Sequence, residues 1–284
     1  MERPGMRVGV VVGMGLRGSR AVAREVCKLL LDSGAEVYVY PPIPDAPEGV
    51  RRAGRVEDMH VDYAISIGGD GTVLRTFLFL PDKDTPVLGI GLGEKSFLSV
   101  ANRGNYVEAV RKFLSGDFTV REEMRLEVSI EGGGIELPPV LNDVVFASRI
   151  TGKTCDLHLG LVEGGSVREV WRTKGDGVII ATPVGSTAYA RSAGGPVLDL
   201  DLEGIVIVPI VPVDRKPAMV VRPDRVVCVW AGRPRSPPLL ILDGQIRVEV
   251  DYDRRVYVRR SRKGARFIVV GGYSTVTHLA KASA

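Results

Sequence analysis

Residues 61–80 read VDYAISIGGDGTVLRTFLFL: an apolar run, a cluster of glycines and a second apolar run. Val61–Ile67 is short, rich in apolar side chains and bounded by turn residues, which predicts a buried strand. Thr72–Leu80 has the length and the apolar spacing of a helix. A strand, a glycine turn and a helix in this order are typical of one βα unit in a parallel sheet.

The same alternation continues on both sides of this stretch. Buried strands are predicted for three further runs: Arg7–Val12, Glu36–Tyr40 and Pro86–Ile90. Amphipathic helices are predicted for two segments that each end at a Ser-Gly pair: Ser19–Leu31 and Tyr106–Leu114. The fold class expected for residues 1–117 is therefore α/β, with a Rossmann-like parallel sheet.

From about Phe118 the pattern changes to short runs of period two, separated by Gly and Pro. Strands are predicted at Arg125–Ile130, Val144–Ala147, Asp156–Val162, Gly177–Ala181, Ile205–Pro209, Arg225–Trp230, Leu239–Leu242, Arg247–Asp251, Arg255–Val258 and Arg266–Val270. Only Thr187–Ala193 has a helical pattern here. We expect residues 118–270 to form an all-β domain and the tail, 271–284, to pack back on the first domain.

Composition limits the function classes. The chain has 284 residues, 45% apolar and 25% charged, which is typical of a globular protein of about two domains. Its Lys and Arg residues are mostly scattered, so no nucleic-acid partner is expected. No apolar run is long enough for a membrane span. Three isolated cysteines, Cys27, Cys155 and Cys228, argue against a disulfide framework or a zinc site and fit a reducing cytoplasm.

A first glycine-rich loop, Gly13–Gly18, reads GMGLRG and fits the dinucleotide pattern GxGxxG. A dehydrogenase of that type needs a carboxylate at the end of the second strand, to hold a ribose hydroxyl. That strand instead ends Tyr40-Pro41-Pro42. We therefore expect either a plain strand–helix turn or a turn whose backbone amides bind some phosphate.

The second loop places Gly68, Gly69 and Gly71 around a single Asp70, with Thr72 next. Glycines allow several backbone N–H groups to converge on an anion, and the positive end of the following helix adds to the attraction. Thr72 is expected to cap that helix. A phosphate would repel Asp70, so this carboxylate should have a use: taking a proton from an attacking hydroxyl, or reaching a metal. An Asx-type turn remains the structural alternative.

Four further motifs follow this loop in a fixed order: LNDVVF at 141–146, GDG at 175–177, TPVGSTAYARSAGGP at 182–196 and DGQ at 243–245. With GGDGT at 68–72 they resemble the NAD kinase family, and the resemblance runs from about residue 7 to 272. GGDGT alone is less specific, because diacylglycerol and sphingosine kinases share it. The 175–196 stretch is the specific part.

The resemblance implies a phosphoryl transfer from ATP or inorganic polyphosphate to the 2′-hydroxyl of the adenosine ribose of NAD, giving NADP. In the family's pattern Asp70 would be the base, and Gly71 would lie against the dinucleotide. Arg75 would face phosphate. Asn142 and Asp143 would hold adenine and ribose.

Further family roles fall on the second domain. Asp176 would meet the nicotinamide amide, and Lys153, Lys174 and Gln245 match less strictly placed contacts. The wall of the site would be formed by four residues: Thr187, Ala188, Tyr189 and Ser192. In the family a basic residue at the position of Lys174 accompanies a preference for NAD over NADH. We expect Asp70, Asn142 and Tyr189 to converge around one dinucleotide, with Tyr189 as a stacking surface.

The sequence departs from the family in three places. The segment 89–95, GIGLGEK, lacks an Asn that is usual there; Asp143 stands where Glu is common; and Pro212-Val213 stands where a Pro-His pair is usual. The first removes an amide contact, and the second shortens the reach to the ribose by one carbon. No role is assigned to Pro212 or Val213.

Two other functions stay open at this point. A lipid kinase could use the same GGDGT loop, and a non-catalytic nucleotide sensor could use the same scaffold, although a sensor would be expected to lack Asp70 or Asn142-Asp143. The expected partners are NAD and a phosphoryl donor, with a divalent metal ion, Mg²⁺ by default, and no membrane. The family resemblance also implies a homo-oligomer, a dimer or a tetramer.

Overall fold

The structure is a computed structural model that describes residues 5–93, 96–233 and 236–272. Its strands are β1 Arg7–Val12, β2 Glu36–Tyr40, β3 Arg51–Arg52, β4 Tyr63–Gly68, β5 Val87–Gly91, β6 Ala101–Asn102, β7 Thr119–Glu123, β8 Leu126–Ile130, β9 Asp143–Ser148, β10 Cys155–Glu163, β11 Ser166–Gly175, β12 Gly177–Ala181, β13 Ile205–Ile210, β14 Met219–Val221, β15 Val227–Gly232, β16 Pro238–Leu242, β17 Ile246–Glu249, β18 Val256–Arg260 and β19 Ala265–Val269. Its α-helices are α1 Ser19–Asp32, α2 Asp70–Phe79, α3 Tyr106–Ser115 and α4 Tyr189–Ser192, with short 3₁₀ turns at Val56–Asp58 and Gly185–Thr187.

The chain divides into two compact units. Among the described residues, the first unit contains those up to Glu123 together with residues 264–272, and the second unit is Met124–Lys263. None of the helices within the described ranges could span a lipid bilayer. Cys27, Cys155 and Cys228 are buried free thiols.

The first unit is built on one sheet with the strand order β3-β2-β1-β4-β5-β19-β7, and β6 pairs with β5. All neighbours are parallel except β19 and β7. Alternate residues of the central strands, such as Val10 and Ile65, pack against α1 and α3 in one core. Helix α2 contacts β4 and β5 but contributes no residue to that core, so it covers the opposite face.

The second unit has two antiparallel sheets. In the second sheet the strand order is β11-β10-β15-β18-β8, and in the third sheet it is β14-β13-β12-β9-β16-β17. Ile179 and Val208 of the third sheet pack with Ala190 of α4, whereas Val178 and Ile180 alternate to the other, fully buried face. The expected fold class, an α/β unit with a parallel sheet and an all-β unit, is confirmed.

Three features differ from the sequence-based expectation. The boundary between the units lies after Glu123, because Thr119–Glu123 forms a strand that pairs with β19 of the first sheet. Strand β19, expected in the all-β domain, therefore belongs to the first unit. Strand β11, ten residues long, was not predicted at all. For the tail, expected to pack back at 271–284, residues 273–284 lie outside the described residues.

Candidate functional site

Two glycine-rich loops leave the carboxyl edge of the first sheet side by side. Strand β1 runs into Gly13–Gly18 and then α1, while β4 runs into the Gly68–Gly71 turn and α2. After β1 the chain continues to β2 on one side of the sheet, whereas after β4 it continues to β5 on the other side. The connecting helices α1 and α2 cover opposite faces. The strand order therefore reverses between β1 and β4. In open α/β sheets ligands bind in the crevice at such a reversal.

The two loops touch each other through Thr72. The Gly13 N–H donates to the carbonyl oxygen of Ile67 at 2.8 Å. A Cβ at Gly13 or at Gly68 would overlap the Thr72 hydroxyl, so neither position has room for a side chain. From the sequence the two loops were considered as separate candidates for a phosphate-binding loop. In the structure they pack together and form one surface. This close packing explains why glycine stands at both positions.

The expectation that Thr72 caps α2 is wrong. The helix begins at Asp70, two residues earlier than predicted, with Gly69 as its N-cap residue and no side-chain capping bond. Thr72 is therefore already inside the first turn, where its carbonyl oxygen accepts from Thr76 Oγ1 at 2.8 Å. The first backbone N–H groups of α2 are left without a capping side chain.

Asp70 is tied to the loop that follows β5. Its carboxylate accepts hydrogen bonds from the backbone N–H groups of Phe97 and Leu98, each at 3.0 Å. That loop lies directly on the strand, since a Cβ at Gly89 would come within 2.8 Å of the Leu98 carbonyl oxygen, and one at Gly91 within 2.5 Å of Ser96 Oγ. This chain lacks the Asn that is usual in the family at this loop. Here the loop packs directly against the glycines of β5, Gly89 and Gly91.

Arg103 is a residue that the sequence analysis missed. It stands just after β6, donates from Nε to the carbonyl oxygen of Leu92 at 3.2 Å and from Nη2 to the carbonyl oxygen of Arg17. A Cβ at Gly18 would lie 2.9 Å from Nη1. One guanidinium therefore joins the first glycine loop to the segment after β5. Arg75, expected to face phosphate, is exposed on α2.

In the second unit three segments meet at one end of the third sheet, which we call the Asn142 end. Asn142 directly precedes β9 and Asp143 begins it, the 182–189 segment follows β12, and the 243–245 turn follows β16. The Asn142 carbonyl oxygen accepts from Thr182 N at 2.9 Å. A Cβ at Gly185 would overlap that carbonyl.

The side chains at the Asn142 end differ in how far they reach solvent. Asn142 and Thr187 are buried, Ala188 is half-buried and Ser192 is exposed, while Tyr189 is 46% exposed although its ring is large and apolar. The Asn142 Oδ1 atom is buried, and no hydrogen-bond partner for it exists in the described part of the chain. A buried acceptor without a donor is costly unless a ligand supplies one.

Two buried carboxylates lie together at this end. Burial raises the pKa of Asp143 to about 7, and the nearby Asp243 carboxylate contributes to the rise. Burial also raises the pKa of Asp243, to about 6, against the effect of three backbone hydrogen bonds and of the Arg125 charge. The sequence analysis quoted Asp243 as part of a motif but assigned it no role.

Lys174 and Asp176 lie at the opposite end of the third sheet. Asp176 precedes β12, and its carbonyl oxygen accepts from Ser148 N at 2.8 Å, at the far end of β9. Lys153 lies in the turn that follows β9 at this same end, whereas Gln245 lies beside the Asn142 end. At about 3.3 Å per residue along β12, the two ends are roughly 15–20 Å apart. A single small group cannot touch both.

Comparison with known proteins decides the family. The sequence-family model of the ATP-NAD kinase N-terminal domain matches residues 8–118, and the sequence-family model of the ATP-NAD kinase C-terminal domain matches residues 141–270. The NAD kinase of Methanothermobacter thermautotrophicus is 35% identical over 266 residues, which are 93% of this chain and 91% of that protein. The chain belongs to the NAD kinase family.

Other members give the same result. The NAD kinase of Methanopyrus kandleri is 36% identical over 277 residues, 95% of each chain. A crystal structure of an NAD kinase from Archaeoglobus fulgidus in complex with ATP matches with a TM-score of 0.77 and 27% identity, over 98% of this chain and 99% of that one. Yeast NADH kinase complexed with NADH has the same fold, with a TM-score of 0.85 at 21% identity and coverage of 98% of this chain and 87% of that one.

Within the NAD kinase family, a phosphotransferase family, the residue roles predicted from the motifs remain predictions. Asp70, Gly71 and Arg75 belong to the first unit. The remaining predicted contacts belong to the second, where the third sheet separates the Asn142 end from Lys174 and Asp176. Among the described residues no three His, Cys, Asp or Glu side chains are grouped so that they could hold a metal ion.

Proposed function

We propose that this chain transfers the terminal phosphoryl group of ATP to the 2′-hydroxyl of the adenosine ribose of NAD, giving NADP and ADP. Beside the family match, the observation that carries the proposal is the buried and unpartnered Asn142 Oδ1 at the Asn142 end. An adenine amino group is a donor of the kind that this oxygen lacks. The half-exposed ring of Tyr189, on the segment that packs against Asn142, offers the base a stacking surface.

Asp70 is proposed to take the proton of the ribose hydroxyl. The new bond joins the 2′-oxygen to the γ-phosphorus, the bond from that phosphorus to the bridging oxygen of ADP breaks, and the proton passes from Asp70 to solvent. Each carboxylate oxygen accepts one hydrogen bond from the 97–98 backbone, which fixes the direction of the carboxylate. The bonds from Phe97 and Leu98 then hold Asp70 in place during the transfer.

The phosphates are proposed to bind over the two glycine loops. The Gly68–Gly71 turn leads into α2, whose first N–H groups have no capping side chain. Such groups, with the positive end of the helix, bind anions. Thr72 packs against Gly13 and Gly68 of these loops, and Arg75 is exposed one turn further along the helix. Inorganic polyphosphate presents the same phosphoanhydride to these loops, so we propose it as a second donor to be tested.

A divalent metal ion, Mg²⁺ by default, is proposed to accompany the donor. The described residues contain no cage of three or more ligating side chains. That fits Mg²⁺, which is usually held by one or two carboxylates and by the substrate's own phosphates. Asp70 is the carboxylate at the glycine turn that could contribute. When bound, the ion would offset the negative charge of the phosphates during transfer.

Asp143 is proposed to accept hydrogen bonds from the ribose, and Thr187, Ala188 and Ser192 to line the adenosine site with Tyr189. Asp176, Lys174 and Lys153 are proposed to act at the other end of the dinucleotide. Because the two ends of the third sheet are roughly 15–20 Å apart, these residues serve one NAD only if it is bound extended, or if a second copy of the chain supplies one of the ends. The expected homo-oligomer would provide the second copy that the latter arrangement requires.

The deciding experiment is an NADP-formation assay on the purified chain. We expect NADP from NAD and ATP with Mg²⁺ present, and loss of the product when the ion is chelated. In one parallel reaction polyphosphate replaces ATP as the donor, and in another diacylglycerol replaces NAD as the acceptor. Phosphorylation of diacylglycerol without NADP formation would overturn the proposal in favour of a lipid kinase. Tight NAD binding with no transfer from either donor would favour the nucleotide sensor.

A further inference from the structure

Asp243 holds a single segment of three residues by its backbone. Its Oδ2 accepts from Leu141 N at 2.8 Å, and its Oδ1 accepts from Asn142 N at 2.7 Å and from Asp143 N at 3.0 Å. Asp243 is 5% exposed and adopts a φ of +48°, in the left-handed region that Asp tolerates better than most residues. A buried carboxylate with three N–H donors is strongly oriented.

The other backbone atoms of the same segment are also satisfied by the protein. The Leu141 carbonyl oxygen accepts from Thr182 Oγ1 at 2.6 Å, and the Asn142 carbonyl oxygen accepts from Thr182 N at 2.9 Å. The Asp143 carbonyl oxygen accepts from Asp243 N at 3.0 Å. All six backbone polar groups of residues 141–143 are therefore engaged. What the segment leaves available for a ligand is its side chains, above all the buried Asn142 Oδ1.

This arrangement is costly for stability alone. Two carboxylates, Asp143 and Asp243, are buried next to each other, and the charges that face Asp243 are those of Asp143 and of Arg125, which is 1% exposed. Burying like charges together destabilises a fold unless partners compensate. A neutral Asn at 243 would avoid that repulsion. The presence of Asp there points to a role in presenting Asn142 and Asp143.

We propose that Asp243 is the positioning residue of the acceptor site: through its three backbone hydrogen bonds it orients the Asn142 and Asp143 side chains toward the adenosine of NAD. This inference rests on the proposed NAD kinase activity. Asp243 itself touches no substrate. Its removal should therefore weaken NAD binding, while the donor side and the chemical step change little.

The test compares Asp243→Asn with a matched control, Asp253→Asn. Asp253 also has a positive φ, +60°, but it is exposed. Asn keeps one oxygen for two of the three bonds and removes the charge. We expect KM for NAD to rise about tenfold or more, with kcat and KM for ATP within about threefold of wild type, and no change in the control. Equal losses of kcat and of binding for both substrates would indicate a merely structural role and overturn the proposal.

A pH profile gives a readout that misfolding would not mimic. In wild type, kcat/KM for NAD should rise with pH through a value near 7 as Asp143 ionises. Without the Asp243 charge, Asp143 should ionise more easily, so the rise should move to lower pH in Asp243→Asn. An unmoved profile with an unchanged KM would overturn the positioning role. If wild type forms no NADP, it is the proposed function that fails.

A measurement on wild type keeps the inference testable if Asp243→Asn does not fold. Protection factors for amide hydrogen exchange at Leu141, Asn142 and Asp143, taken relative to the intrinsic rate at each pH, should be high at pH 7 and should fall as Asp243 is protonated below about pH 6. Exchange as fast as that of the exposed turn Gly132–Gly134 would contradict the proposal, because the three bonds would then not be formed in solution.

Discussion

The backbone N–H of Leu98 donates a hydrogen bond to Oδ1 of Asp70 at 3.0 Å, which joins the first turn of α2 to the loop after β5. Phe97 N binds the other oxygen. Backbone N–H groups of the 97–98 loop therefore help to hold the proposed base in one orientation. Side-chain substitutions in the 97–98 loop leave these bonds in place, whereas a change at Asp70 affects both the chemistry and the loop.

Replacing Asp70 with Asn removes the basic oxygen and keeps the shape. We expect kcat to fall by about 10²-fold or more, since a positioned general base contributes roughly 10²–10⁴ in rate. NAD binding should weaken by less than about tenfold, because Asn142 and Tyr189 are unchanged. Initial rates and NAD titration by calorimetry measure the two effects separately.

Asp62→Asn is the matched control for that variant, because Asp62 is exposed and pairs with Arg7 away from both glycine loops. Its kcat should equal that of wild type. If Asp70→Asn keeps kcat within about tenfold, Asp70 is a turn residue that anchors the 97–98 loop. If rate and affinity collapse together, Asp70 mainly binds ribose, and catalysis depends chiefly on positioning.

Arg103→Ala should raise KM for ATP by about five- to tenfold and change KM for NAD little. The guanidinium joins the carbonyl oxygens of Arg17 and Leu92, so its loss frees the first glycine loop from the segment after β5. Lys cannot reproduce a planar fork that reaches two carbonyls, so Arg103→Lys should recover only part of the loss. Arg111→Ala, on the exposed face of α3, is the control. An unchanged KM for ATP in Arg103→Ala would contradict a role for this link.

Much of the fold could be predicted because strand and helix periods are local. Arg7–Val12 and Gly177–Ala181 were predicted to the residue, and the structure buries every residue of both strands except Arg7. Strand β11 was missed because it forms the edge of its sheet and most of its residues are exposed; burial alternates only from Trp171 to Gly175, where the inward residues include the polar Thr173. The placement of β19 depends on pairing with residues about 150 positions earlier, and no local pattern contains that information.

Some residues of the candidate site could be predicted from the sequence and others could not, for the same reason. Asp70 and Asn142 stand in motifs whose residue types indicate their chemistry. Asp243 and Arg103 act through backbone atoms of distant segments, Asp243 about 100 residues from the segment that it holds. A carboxylate that binds N–H groups has no sequence signature of its own. Only the register of β9 with β16 brings Asp243 to the start of β9.

Gly185→Ala should damage the acceptor site specifically. The added methyl group would overlap the Asn142 carbonyl oxygen, which is backbone and fixed by Thr182 N. Forced shifts in a packed interior cost about 1–3 kcal/mol. We expect a matching loss of unfolding free energy in denaturant titration and at least tenfold weaker NAD binding. Gly15→Ala, where no described atom lies within 4 Å of the new methyl group, should change stability little. Wild-type affinity in Gly185→Ala would show that the Asn142 end does not bind NAD.

Stability should depend on the ionisation of Asp143. Its pKa in the folded protein, about 7, is raised above the usual value near 4 of an unfolded chain. The folded state therefore binds the proton more tightly, and the stability that this contributes is complete below about pH 4 and is lost as pH rises through 7. Asp143→Asn cannot ionise, so its unfolding free energy should exceed that of wild type by about 1–3 kcal/mol at pH 8 and by much less at pH 5. Denaturant titrations at both pH values measure this, and a wild-type advantage at pH 8 would contradict it.

Lys174→Gly should raise the use of NADH relative to NAD. In the family a basic residue here accompanies a preference for NAD, yet the oxidised nicotinamide ring is a cation, which a lysine facing it would repel. Lys174 should therefore contact a phosphate or a carbonyl group near the nicotinamide end. It stands opposite Asp156 in the β10–β11 pair; the hydrogen bond from Arg172 is the main cause that lowers the pKa of that carboxyl, and the charge of Lys174 adds a small part.

The measurement for this prediction is the ratio of kcat/KM for NAD to that for NADH, in wild type, in Lys174→Gly and in Lys153→Gly. Lys153 is an exposed lysine at the same end of the third sheet, so it controls for the loss of one positive charge. We expect the ratio to fall about three- to tenfold in Lys174→Gly and to fall less in Lys153→Gly, since a short-range contact discriminates more than a screened charge. An unchanged ratio in Lys174→Gly would remove Lys174 from the acceptor-selecting residues, and equal falls in both variants would leave only the general positive field at this end.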